Sequence, residues 1–321
     1  MGTKPEKGNT MHINEWKVGD AVEGFYILQS AYSRQGANGK PFLAVTLGDR
    51  SGTMEGKVWD YAGPVGPGDA GSVVWVHGTV TEFRGASQLT VGRIRTADAA
   101  DRYAPGDLVP AAPIDLDAGW AELQKLLDSI ADPDYAAICR ALLAQYEARF
   151  RLIPAAKSVH HGFLGGLLMH TLSMVCEADF LAAQYPDVID RSLLLAGALL
   201  HDLAKCEEFT TSALGLVTDY SMKGQLLGHS VMGAQAVAAA AARLGTPEEK
   251  AALLQHLILS HHGEPDYGAA LRPVCAEGEL LSFIDLIDSR MEIYRETLQE
   301  TPAGTFSPRV FALDRRVFHH N

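Results

Sequence analysis
The dipeptide His201-Asp202 closes an apolar run that begins after Ser192, and Lys205 follows it within one helical turn. Imidazole is the commonest side-chain metal ligand. A carboxylate beside it can bridge two hard cations, so this pair at the inner end of an apolar helix has a chemical use. One such pair would carry little weight, but eight of the twelve histidines fall between His160 and His262. His170 follows Gly165-Gly-Leu-Leu-Met, and His229 follows Gly224-Gln-Leu-Leu-Gly. His261 and His262 stand in Leu259-Ser-His-His-Gly263, and Asp285 in Phe283-Ile-Asp285-Leu-Ile-Asp288. The gaps of roughly 24 to 32 residues are one helix plus a turn each, so each ligand can project inward from a different helix of one bundle. Any single histidine on an apolar face reads as a hydrogen-bonded core residue; the set points to a metal centre.

The remaining histidines divide by position. His160 and His161 precede the glycine-rich turn and are candidates for substrate contact. His256 shares an expected helix with His261 and reads as packing or support. His319 and His320 end what reads as a mobile tail, with no role assigned.

The elements that must hold these residues fall into two parts. Between residues 12 and 100, five short apolar or alternating segments separated by glycine-rich turns read as strands: 21–28, 41–47, 52–59, 71–80 and 88–94. Five strands suggest a small barrel, with hairpin turns at 36–40 and 84–87 and a tight link at 48–53. The proline-bearing stretch 103–113 cannot continue a sheet and reads as the linker. Everything after it reads helical, with helices expected at 120–130, 134–150, 163–184, 192–206, 225–244, 247–261 and 277–299. The expected organisation is a multidomain α and β chain: 1–105 a barrel, 106–150 a linker with leading helices, and 151–321 an all-α bundle.

Composition bounds the function classes. At 321 residues and 47% hydrophobic content the chain supports two packed cores. No apolar run reads as reaching the 18 or so residues that span a bilayer, and the polar N-terminus lacks a signal-peptide stretch, so a cytoplasmic location without membrane association is expected. The four cysteines, Cys139, Cys176, Cys206 and Cys275, have no Cys-x-x-Cys spacing, which suggests neither a zinc ribbon nor a disulfide framework. The net charge of −12 seems to disfavour a nucleic-acid partner, yet residues 1–105 hold eleven basic and eleven acidic residues and are neutral. That segment is free to bind an anionic polymer through local clusters and stacking.

The order His, His-Asp, His, His-His, Asp resembles the HD-domain metal-dependent phosphohydrolases over about residues 150–300, and the five-strand segment resembles the OB-fold nucleic-acid-binding domains. With both in this order, and with the segments around His170, His229 and His261-His262, the chain resembles the YhaM family of bacterial 3′→5′ exoribonucleases. The resemblance implies an OB-fold barrel followed by an HD-domain helical bundle. It also implies a metal-dependent phosphodiesterase acting as an exonuclease on single-stranded RNA, with single-stranded DNA as an alternative. Two divalent ions are implied. His170, His201, Asp202 and Asp285 serve the first, and His229 with His261 or His262 serves the second around a bridging Asp202. Nitrogen and oxygen donors without thiolate fit manganese foremost, then iron, with magnesium, cobalt and nickel compatible.

The HD family's His-Asp-x-Gly-Lys motif here reads His-Asp-Leu-Ala-Lys, so Lys205 takes the role of a positive charge beside the substrate phosphate, Asp202 and Lys205 forming the catalytic pair. Its plainer reading is a helix-end lysine favourable to the dipole. For the strand, the aromatic pool is Phe25, Tyr26, Tyr32, Phe42, Trp59, Tyr61 and Phe83. Alternation buries about half of any strand, which leaves Trp59 and Tyr61 with Arg84, Arg93 and Arg95 as the chosen contacts. Two other readings stand beside the exonuclease: a phosphohydrolase of free or cyclic nucleotides with the barrel as a regulatory or assembly module, and an RNA-binding adaptor. A homo-oligomer is compatible with all three.

Overall fold
The computed structural model describes residues 11–36, 39–83, 85–109, 111–156, 162–212 and 214–321. Arg84, His160 and His161 lie outside the described residues. The described chain divides into two compact units, Met1–Pro110 with Ser212–Leu214, and Ala111–Thr211 with Gly215–Asn321.

In the first unit, β1 (Ala21–Gln35), β2 (Pro41–Asp49), β3 (Gly52–Trp59), β4 (Val73–Phe83) and β5 (Ala86–Thr96) close a barrel in the order β1-β2-β3-β5-β4, with β4 returning to β1. All neighbours are antiparallel except β3 and β5. Five strands closed in this order form the OB-fold. The alternation that suggested the strands also fills the barrel: Val22, Tyr26, Leu28, Leu43, Val45, Leu47, Val76 and Leu89 share its core. A register shift between Leu28 and Ser30 reverses the inward parity of β1, so that Ala31 rather than Ser30 is buried and Tyr32 faces out.

The second unit contains α2 (Leu116–Asp128), α3 (Pro133–Phe150), α4 (Gly166–Gln184), α5 (Arg191–Leu200), α6 (Lys205–Glu208), α7 (Met222–Leu244), α8 (Glu248–Ser260) and α9 (Ala276–Glu300); the short α1 (Pro105–Leu108) precedes them in the first unit. Asp115, Asp132 and Asp190 cap α2, α3 and α5, each side chain accepting two backbone N–H bonds. One core joins α2 and α3 to the helices that follow, through Leu123, Ile138, Leu142, Leu168, Leu194, Val237, Leu257 and Ile284.

Three details differ from the sequence reading. The expected helix 192–206 breaks after Leu200. Leu203, Lys205 and Cys206 then bond back three residues rather than four, a tighter winding that no glycine or proline announces. Two short hairpins interrupt the helices: β6 (Phe209–Thr211) with β7 (Val217–Tyr220), and β8 (Phe306–Val310) with β9 (Arg315–Phe318). The second replaces the expected mobile tail, and His319 donates from Nδ1 to the Thr301 carbonyl at 2.6 Å. Finally, α4 is long and apolar enough to cross a membrane by length and composition, at 19 residues and mean hydropathy 1.2. Its burial in the bundle core accounts for that composition, since Leu167, Leu168, Met174, Val175 and Ala178 are all fully enclosed.

Candidate metal centre
The metal-binding candidates come from five helices and converge. Among the described residues, two groups of three can each offer ligand atoms within 4.8 Å of one another: His170, His201 and Asp285, and His229, His261 and His262. Asp202 stands between them with one oxygen toward each. Its Oδ2 lies 3.3 Å from His201 Nε2 and 3.6 Å from His170 Nε2. The other oxygen, Oδ1, lies 3.3 Å from His229 Nε2 and 3.9 Å from His261 Nε2. Asp285 Oδ1 completes the first group at 3.4 Å from His170 Nε2. The structure thus brings both His261 and His262 to the second group.

The helix ends explain the convergence. His201 and His261 occupy the C-cap positions of α5 and α8, where Nδ1 reaches the carbonyl three residues back, Ala198 at 2.9 Å and Ile258 at 2.7 Å. A carbonyl only accepts, so Nδ1 carries the proton and Nε2 turns its lone pair inward. Because the chain winds with i→i+3 bonds after Leu200, Asp202 and Lys205 fall on the same side, and Lys205 Nζ donates to Asp202 Oδ2 at 2.6 Å. In α7 the helix is broken at Gly228, whose φ of 71° and ψ of 159° form a combination open essentially only to glycine. The break presents the His229 backbone N–H to Glu208 Oε1 at 2.9 Å, and the same carboxylate takes His229 Nδ1 at 3.1 Å. Gly224 lets α7 approach that residue, for a Cβ there would meet the Glu208 carbonyl oxygen at 2.4 Å.

Electrostatics prepare the donors. Burial opposes the charge on Asp202, but the Lys205 ammonium foremost outweighs it and the carboxyl is held well below the usual range. Burial also disfavours the charge on Lys205, and the Asp202 carboxylate reverses this, raising the lysine. His261 is pushed well below the ordinary imidazole range by burial and then by the neighbouring imidazoles, and His262 is lowered first by burial and then by His229. Both are therefore neutral, the form that ligates a metal.

The test of fit is the set of buried polar atoms without partners. Asp202 Oδ1, His229 Nε2 and His261 Nε2 are all buried and have no hydrogen-bond partner among the described residues. Three such atoms turned toward one another would cost several kcal/mol unless a cation takes their lone pairs, at about 1–3 kcal/mol each. The donor set therefore fits divalent metal. Access is graded: the side chains of His201, His261 and Asp202 are 1–3% exposed, whereas Lys205, His229 and Asp285 reach 16%, 14% and 20%. The open side of the site is lined by the last three.

Two supporting acids were missed in the sequence. Asp288 Oδ2 accepts from His170 Nδ1 at 2.6 Å, and Glu208 holds His229 as described. Asp288 stands one turn after Asp285 on α9, which was a usable signal; Glu208 had none. His256 supports rather than ligates, its Nε2 accepting the Val274 N–H at 3.0 Å. Cys206 is buried and burial pushes its thiol up to about 12, so it is an inert packing group.

On the barrel, Trp59, Tyr61, Arg93 and Arg95 line one groove of about 550 Å³. Two of the four are committed to the fold: Arg95 grips Asp101 through two bonds of 2.6 and 2.7 Å, and the Tyr61 hydroxyl accepts the Val65 N–H at 2.8 Å. A second groove, of about 410 Å³, is lined by Tyr32, Arg34, Phe42, Lys57 and Phe83. Phe42 lies 5.0 Å from Trp59, and Lys57 Nζ stands 4.6 Å from the Phe83 ring and 5.6 Å from that of Trp59. Tyr32, Trp59 and Phe83 are each about half exposed, whereas Phe25 and Tyr26 are core. An exposed row of aromatic rings around a lysine is what non-specific single-strand binding uses.

Comparison with known proteins now bears on both units. Residues 167–290 match the HD domain family, a span that contains every candidate ligand. A protein named 3'-5' exoribonuclease YhaM from Halalkalibacterium halodurans is 35% identical over 95% of this chain and 94% of its own. The chain belongs to the YhaM family. Proteins of the same name from Shouchella clausii, 36% identical over 96% and 95% of the two chains, and Bacillus velezensis, 35% over 98% of both, are similarly related. Among solved structures, the second OB-fold domain of replication protein A from Methanococcus maripaludis is 18% identical, covering 27% of this chain and 92% of that one at a TM-score of 0.22. The YhaM relationship spans the barrel and the bundle together, so this chain is an HD-domain enzyme of that family with its OB-fold.

Proposed function
We propose that this chain is a 3′→5′ exoribonuclease that hydrolyses single-stranded RNA, with single-stranded DNA as a further substrate, using two divalent ions of which manganese fits best. The observation that carries the reading is Asp202, whose two oxygens each face a separate trio of ligands. Bound divalent ions supply a water of lowered pKa and a positive field at the phosphoryl oxygens.

The protein's own groups do the rest. Ala198, Ile258, Asp288 and Glu208 hold four imidazoles in one tautomer and orientation. Asp202 stays ionised at neutral pH because Lys205 foremost offsets its burial. Lys205 stays an ammonium on the open side of the site, where it can stabilise charge developing on the reacting phosphate. The enclosed floor formed by His201 and His261 excludes bulk water from beneath the site. On the barrel, the rings of Tyr32, Phe42, Trp59 and Phe83 offer faces to bases, and Lys57 and Arg34 offer charge to the backbone.

Incubation of 5′-end-labelled single-stranded RNA with the purified protein and Mn²⁺ tests this. A ladder that shortens from the 3′ end is expected. Intact RNA, with hydrolysis of a free or cyclic nucleotide instead, would transfer the site to small substrates and leave the barrel a regulatory or assembly module.

A further inference from the structure
The C-terminal hairpin β8-β9 has features that neither the metal centre nor the barrel uses. Residues 302–321 carry three arginines, Arg309, Arg315 and Arg316, against one acid, Asp314, in a part of the chain that holds the whole of the −12 net charge. Cross-strand register places Arg309 directly opposite Arg316 and Phe306 opposite Phe318. Like charges facing each other across a hairpin are unfavourable on their own. Here Arg309 is paired with Asp314, while Arg316 Nε donates to the Ser307 carbonyl at 2.8 Å. Arg315 likewise spends Nε on the Leu313 carbonyl at 3.0 Å. Such bonds orient each guanidinium and leave its outer N–H groups for an anion.

The aromatic residues complete the surface. Phe306 and Phe318 lie with ring centroids 4.9 Å apart and planes tilted by 50°, both about half exposed, and the Arg316 guanidinium lies 5.2 Å above the Phe306 ring. Phe311, at the turn between the strands, is 98% exposed. The hairpin is firmly built despite this exposure: the Val317 N–H donates to Ser307 Oγ at 2.9 Å, Gly304 N–H to the His319 carbonyl at 2.7 Å, and His319 to Thr301 at the end of α9. That helix also carries Asp285, fifteen residues before Glu300, a rise of about 22 Å.

We infer that β8-β9 is a second single-strand contact, in which Arg309, Arg315 and Arg316 bind backbone phosphates and Phe306, Phe311 and Phe318 stack on bases of the substrate upstream of the cleaved bond. The inference rests on the nuclease reading for its substrate. Orientable arginine forks beside exposed rings match the two chemistries that a single-stranded nucleic acid presents, phosphate and base faces. A second copy of this chain, seated on Phe311, is the competing occupant.

The test uses the full chain with Mn²⁺ and the variant Arg309→Ala/Arg316→Ala. Steady-state cleavage is measured on a long single-stranded RNA, on a tetranucleotide and on bis-p-nitrophenyl phosphate, and the affinity for the same long RNA is followed by fluorescence anisotropy against salt. The expected result is a KM for the long RNA raised roughly tenfold and a salt dependence of binding flatter by about 1.4 in log-log slope, two phosphates' worth. Tetranucleotide and small-diester hydrolysis stay unchanged, and Arg309→Lys/Arg316→Lys restores most of the salt slope. Unchanged affinity and slope would overturn the proposal, as would a fall in molecular mass by light scattering with RNA affinity intact, which assigns the hairpin to a second copy. Should the wild type fail to cut RNA at all, the nuclease reading fails; the anisotropy arm still decides the hairpin.

Discussion

The candidate metal centre and the aromatic face of the barrel are built on different physics. In the bundle the candidate ligands sit on five helices, and four of the imidazoles are locked by a bond from the nitrogen that does not face the site. On the barrel, half-exposed rings lie around Lys57 in ring and cation contacts of 4.6 to 5.6 Å. Chemistry at phosphorus depends on placement to a fraction of an ångström, whereas capture of a strand is a sum of modest contacts that tolerate slack. Single substitutions should therefore be severe in the bundle and mild on the barrel.

The largest effect is expected at Asp202. Asp202→Asn removes a charge that both ligand groups face, so hydrolysis of RNA and of bis-p-nitrophenyl phosphate should fall together by about a thousandfold or more. Near-normal rates with undiminished metal content would take Asp202 out of the site. Next in size is Lys205→Ala, for which a loss of about ten- to a thousandfold in turnover is expected with metal content retained, the scale of one electrostatic stabiliser. Unchanged turnover would leave Lys205 only its place at the start of α6.

On the barrel, Lys57→Ala combined with Trp59→Ala should raise the KM for long RNA by roughly ten- to a hundredfold and leave small-diester hydrolysis untouched. If both activities fell equally, the contrast between the two regions would collapse.

The smallest effect concerns Glu177 on α4, half-buried with Oε2 lacking a hydrogen-bond partner among the described residues. Burial and then the nearby Asp288 carboxylate push it up to about 7. A carboxyl raised in the folded state binds its proton more tightly there than in the unfolded chain. Its contribution to stability is thus fully present below about pH 4.5 and is lost as pH rises through about 7. Taken whole, the shift corresponds to about 3 kcal/mol; solvent at a half-exposed group reduces it to about 1 kcal/mol. Glu177→Gln should therefore leave the melting temperature unchanged at pH 4.5 and raise it by a few degrees at pH 8.5. Equal melting temperatures at both values would mean that Glu177 is not perturbed.

The same contrast governs what the sequence revealed. The clustered candidate ligands were legible because histidine and aspartate at one-helix intervals are conspicuous against apolar runs such as Leu193–Leu200. Asp288 and Glu208 were not, since an acid that supports a histidine looks like any other acid until the fold brings it close. The break after Leu200 was hidden because no glycine or proline marks it, and the bonding of the His201 side chain to Ala198 exists only once the turn has formed.

The barrel's strands were read from alternation, but which of its rings face outward was not. Alternation carried forward from Val22, Tyr26 and Leu28 puts Tyr32 inside; the irregularity before Ser30 turns it out. Tyr61 and Arg95 were chosen for their type, while their hydroxyl and guanidinium serve Val65 and Asp101. The C-terminal hairpin was read as tail because residues 302–321 lack the long alternation of a strand, being held by Ser307, Thr301 and His319 instead.

The central proposal is that Asp202 would bridge two divalent ions. Anomalous diffraction from crystals of the protein grown with Mn²⁺ tests it most directly. Two peaks are predicted, one among His170, His201 and Asp285 and one among His229, His261 and His262, with Asp202 contributing one oxygen to each. A single peak, or two that leave Asp202 uncoordinated, would contradict the account.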